Sequence, residues 1–176
     1  MFQSLRSRVI VAGVIATAAL VGTGSAGAGT PTRENLGLFP YEFSVDCGPY
    51  GFDFSIEVEG QESVWVETFY GANGEAMRIV VHSSFRETDT NTVSGKALHF
   101  RGRIIRTYDL AAGTRTDVGT MFLMTDPGSG VVIQDVGRVV FDAPFHVSFE
   151  AGHHEVLHGG AGSHLDELAC TALASD

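Results

Sequence analysis

Phe52-Asp53-Phe54-Ser55-Ile56-Glu57-Val58-Glu59 decides the fold class, because every even position is apolar and every odd one polar. Side chains on a strand alternate between faces, so this stretch reads as a strand with one side in a core and the other in water. Residues 63–70 continue the pattern with Val64, Val66, Phe69 and Tyr70. Ala72-Asn73-Gly74-Glu75 follows, and Asn-Gly supplies the two positive-φ residues of a tight hairpin turn. The predicted return strand covers 76 to about 86, and further strands are expected over 98–110, 115–125, 131–135, 138–142 and 145–150. Ala111-Ala112-Gly113-Thr114 and Asp126-Pro127-Gly128-Ser129-Gly130 supply turn chemistry between them. About eight short strands with hairpin links imply an all-β fold, an antiparallel up-and-down β-barrel, with a two-sheet β-sandwich as the alternative.

The end of the chain differs. Ser163 with Asp166 three residues on has capping-box spacing, and Leu165, Leu168, Ala169, Ala172 and Leu173 repeat with helical period, so a short C-terminal helix is expected. It carries Cys170. The other cysteine, Cys47, lies near the start of the domain.

Upstream, residues 1–28 read as a signal peptide: Arg6 and Arg8, an apolar run over 9–21, then small residues ending in Ala26-Gly27-Ala28. The apolar run falls short of the ~20 residues that span a bilayer. An exported, secreted chain with two cysteines is expected to join them, Cys47 to Cys170. Residues 29–39, which include Pro31, read as a flexible lead-in, and 40–176 as a single domain.

The formal net charge is −10, and Lys96 is the sole lysine. With no basic stripe the composition argues against nucleic acid as a partner and against an anionic membrane surface after leader cleavage. Glu57 and Glu59 are expected to face water, and Trp65 with the phenylalanines to fill the core or line a ligand cavity.

His154-Glu155-Val156-Leu157-His158 matches H-E-x-x-H, with His164 at the third-ligand position of the longer pattern. On a helix that spacing sets two imidazoles one turn apart, with the glutamate placed to activate zinc-bound water. The surroundings oppose a helix: a strand precedes it, Gly152 stands just before, and Gly159-Gly160 follows. Two further readings stay open, an exposed histidine stretch with no ligand, and a zinc or similar metal on His154, His158 and His164 without hydrolysis. His82, His99 and His146 are expected as ordinary strand residues.

The run Gly137-Arg138-Val139-Val140-Phe141-Asp142, with Val147-Ser148-Phe149-Glu150-Ala151-Gly152 after a short turn, resembles the C-terminal half of a group of uncharacterised small secreted actinobacterial β-rich proteins. The resemblance implies export and a small β domain, and no activity. The functional expectation is therefore a non-enzymatic secreted barrel that binds a small apolar ligand or a protein partner; the alternative is a metal-binding protein or metal-dependent hydrolase built on His154, Glu155, His158 and His164.

Overall fold

A computed structural model of the chain describes residues 30–143, 146–156 and 163–174. The expected leader and the metal candidate His158 lie outside the described residues. Strands β1 (Thr32–Asp46), β2 (Ser55–Tyr70), β3 (Ala76–Asn91), β4 (Ala97–Asp109), β5 (Thr114–Asp126), β6 (Gly130–Ala143) and β7 (His146–His154) are followed by helix α1 (Ser163–Ala174). The strands form one seven-stranded sheet in the order β1-β2-β3-β4-β5-β6-β7, every neighbouring pair antiparallel. The all-β, up-and-down reading and the terminal helix are therefore correct. A second packed sheet is absent among the described residues. There β1 and β7 do not pair with each other, so this sheet is open rather than a closed barrel of eight strands.

Three differences from the sequence reading account for the strand number. From Ser55 onward the run 52–59 merges with 63–70 into β2, and 131–135 with 138–142 merge into β6. The glycines that look like breaks are sites of close packing inside continuous strands. At Gly60 a Cβ would meet the Tyr41 ring at 2.4 Å, and at Gly102 the Phe85 ring at 2.2 Å, so each bare backbone is covered by an aromatic across the strand pair. Gly137 faces Gly119 on β5 and Gly152 on β7; its φ is 153°, and a Cβ there would meet the Ala151 carbonyl oxygen at 2.2 Å. These glycines let the strands approach where L side chains would not fit.

The third difference is at the start. Residues 32–39, expected as a loose lead-in, belong to β1, which pairs with β2 from Thr32 opposite Thr68 to Asp46 opposite Ser55. Most of these early residues are exposed on both faces, so their sequence carries no alternation to read. Pro40 is compatible because β1 is an edge strand.

The 52–59 alternation holds: Phe54, Ile56 and Val58 are buried while Glu57 and Glu59 face solvent. Around them one cluster joins Cys47, Leu98, Phe100, Met124 and Ile133 to Leu165, Ala169, Cys170 and Leu173 of α1. Tyr41, Phe43 and Val45 of β1 pack on the same cluster, so residues from β1 to β6 and α1 share one core. The Cys47–Cys170 disulfide is formed, bridging 123 positions of sequence. The sole lysine finds its use here: Lys96 Nζ donates to the Ala172 carbonyl (3.1 Å) and Asn91 Nδ2 to that of Leu173 (3.2 Å), which satisfies carbonyls at the helix end. The expected Ser163 cap depends on a side chain outside the description.

Candidate functional site

His154, the first ligand of the motif reading, lies on a strand and not on a helix. His154 ends β7, directly across from Asp135 on β6. Its Nδ1 lies 2.7 Å from Asp135 Oδ1, and its Nε2 3.3 Å from the Ala151 carbonyl oxygen. Both side chains of the pair are only 2% exposed. The Val156 amide donates to the other Asp135 oxygen (3.1 Å), so the carboxylate ties the end of β7 to β6. Room for the imidazole comes from Gly137, where a Cβ would stand 2.9 Å from His154 Nε2. His154 is thus a buried, paired side chain rather than part of an exposed stretch.

Glu155, the base of the motif reading, accepts a bond from the Gln134 amide (2.5 Å) and faces His153 Nε2 at 3.2 Å. The backbone amide bond, opposed by partial burial and helped by His153, holds its carboxyl below the usual range. His164 is on α1, 3.8 Å from Glu167. Among the described residues no group of three or more His, Cys, Asp or Glu side chains could hold a metal ion. His154 and His164 are not brought together as ligands there, and His158 lies outside that description.

Other ionisable groups on the inner face are similarly engaged. Tyr41 donates to Glu87 Oε2 (2.7 Å), and burial first, then the Glu87 charge, pushes its hydroxyl pKa far up. Arg106 and Arg115 both pair with Asp117, at 3.2 and 3.3 Å. Burial alone would lower the Arg106 pKa, but Asp117 and Tyr108 outweigh it and the net shift is upward. Ser83 donates to Glu62.

The outer face of β2, β3 and β4 is built differently. Register sets Trp65, His82 and Ile105 in one row, then Ser63, Ser84 and Arg103, then Gln61, Arg86 and Arg101, then Glu59, Thr88 and His99. Trp65, expected in the core, lies here, stacked on His82 with ring centroids 3.5 Å apart and with the Arg33 guanidinium 4.1 Å from its other face. Desolvation lowers the His82 pKa, Arg33 and Arg103 add to this, and Glu67 opposes it.

Two rows along, Arg86 and Arg101 are direct cross-strand partners. Opposed like charges destabilise a strand pair. Arg103 is next but one to Arg101 along β4, and all three arginines are exposed without an ion-pair partner among the described residues. With the Gln61 amide turned so that its oxygen faces Arg86, it accepts from that guanidinium at 2.5 and 2.8 Å. Arg86, Arg101 and Gln61 border a groove of about 600 Å³, lined also by Glu59, Glu87, Thr88, His99 and Thr125. That volume lies in the range of small-molecule sites.

Sequence reasoning missed Asp135 and the arginine row. A signal for Asp135 was present: it is in phase with Ile133, a core residue, and so had to point inward. The arginines become neighbours only once the β3–β4 register is fixed, because Arg86 and Arg101 stand on either side of the 92–96 turn. Comparison of the chain with family models, with curated proteins and with solved structures gives no match.

Proposed function

We propose that this chain is an exported, non-enzymatic β domain that holds a negatively charged ligand in the outer groove of β2, β3 and β4. The observation that carries the reading is the Arg86–Arg101 opposition beside an open groove, in a chain of formal charge −10. Folding gains nothing from two facing guanidinium groups, whereas an anion between them is held by charge-assisted, bidentate bonds. Export is supported by the leader-like N-terminus and the Cys47–Cys170 disulfide. The kinship with small secreted actinobacterial β proteins is part of the same proposal, as is a barrel-like coil of the sheet, which the β1-to-β6 inner cluster supports.

A small apolar ligand, expected from the barrel reading, has less support. Under α1 the inner face is occupied by Phe85, Phe100 and Phe122, whose rings pack against one another. No helix among the described residues is long and apolar enough to cross a membrane. Calorimetric titration of the oxidised protein with inorganic phosphate, galacturonate, oligogalacturonate and a polyglutamate peptide tests the reading. Binding of at least one, weakened by salt and lost in Arg101→Gln, is the expected result; binding of none would end it.

A further inference from the structure

The groove is not lined by cations alone, and that mixture narrows the class of ligand. Arg86 and Arg101 provide donors, but two carboxylates share the lining, Glu87, which accepts from the Tyr41 hydroxyl, and Glu59, which faces solvent. A carboxylate only accepts hydrogen bonds, and it repels a bare phosphate or sulfate as strongly as one arginine attracts it. Between donors and acceptor lie groups that do both. Thr88 shares a bond with His99 Nδ1 (3.3 Å), and Thr125 and the amide of Gln61 complete the wall. A ligand that fits presents one anionic group to the arginines and hydroxyl donors to Glu59. Within about 600 Å³ it is larger than an inorganic ion.

We infer that the ligand of the groove is a sugar acid, a polyhydroxylated ring or chain bearing a carboxylate, such as a uronate. This rests on the anion-binding reading above and adds the chemical class. Arg86 and Arg101 clasp the carboxylate from two adjacent strands, whose directly opposed Cα atoms are about 4.5–5.5 Å apart. Glu59 and the Thr88 hydroxyl take the sugar hydroxyls. The same chemistry is available as a free acid or as one residue of an acidic glycan strand.

Competing surfaces explain less. Trp65 is already covered by His82 and Arg33 on its two faces, so it offers no free stacking platform. On the inner face, Arg106 and Arg115 both lie against Asp117 and are largely buried rather than open to a ligand.

The test is calorimetric titration of the oxidised protein with galacturonate, oligogalacturonate, galactose, acetate and inorganic phosphate. Arg101→Gln, Glu59→Gln and, as a control away from the groove, Arg78→Gln would be titrated alongside. Galacturonate should bind better than galactose, acetate or phosphate. Arg101→Gln should weaken it about tenfold or more, the size of one charge-assisted contact. Glu59→Gln should weaken galacturonate severalfold while strengthening phosphate, and Arg78→Gln should change neither. Tighter binding of the oligomer per residue would mark a glycan strand as the source, and equal binding the free acid. Phosphate or acetate binding as well as galacturonate, with no reversal in Glu59→Gln, would overturn the sugar-acid class and leave an anion groove. Failure of every anion would remove the groove as well.

Discussion

The two faces of the same sheet treat charge in opposite ways. On the inner face charges come with partners: Asp135 with His154, Asp117 with Arg106 and Arg115, Glu87 with Tyr41. On the outer face of β3 and β4, arginines are set against each other. Burial explains the first pattern, since an unpaired charge inside a protein is expensive. No folding requirement explains the second. Stability should therefore be sensitive to the inner groups and indifferent to the outer arginines, and binding the reverse.

The largest effect on the inner side should come from the covalent tie. Replacing Cys47 and Cys170 together by serine removes a closure of 123 positions, for which chain entropy gives about 4–5 kcal/mol. Urea denaturation of the double variant should show a loss of that order; a loss below about 1 kcal/mol would mean that packing alone holds α1. Next comes His154→Ala, which leaves Asp135 buried without its imidazole and should cost about 3 kcal/mol. An unchanged urea midpoint would show that the histidine is not part of the inner network.

A smaller loss, about 1 kcal/mol, is expected from Lys96→Met, which removes the donor to the Ala172 carbonyl at the end of α1. Amide exchange in α1 should rise with it. The pH response of the Trp65–His82 stack is a finer probe. Because the His82 pKa is lowered on folding, chiefly by desolvation, the folded chain favours neutral imidazole. Its contribution is whole above the ordinary histidine pKa of about 6.5 and declines as pH falls through the lower folded value. The melting-temperature gap between wild type and His82→Gln should thus narrow from pH 7.5 to 5.5. A gap that stays constant would mean that the stack does not depend on the imidazole charge.

The same contrast explains what the sequence disclosed. Inner-face alternation, as in Phe54-Ser55-Ile56-Glu57-Val58, is enforced by burial and was readable, as were the Asn73-Gly74 turn and the α1 stripe. In β1 both faces of the early residues meet solvent, so only its pairing with β2 reveals a strand. Gly60 and Gly137 looked like punctuation because the ring over one and the close backbone beside the other belong to neighbouring strands. His154 to His158 offered a local motif whose meaning depended on Asp135, far away in sequence but opposite in register. The arginine row exists only through strand pairing.

The most direct measurement compares urea stability and galacturonate binding in the Arg86→Gln/Arg101→Gln double variant and in wild type. Binding should be abolished while stability stays level or rises by a few tenths of a kcal/mol, as relief of opposed like charge allows. A variant that loses more than about 1 kcal/mol of stability, or that binds as wild type does, would contradict the division of labour between the faces.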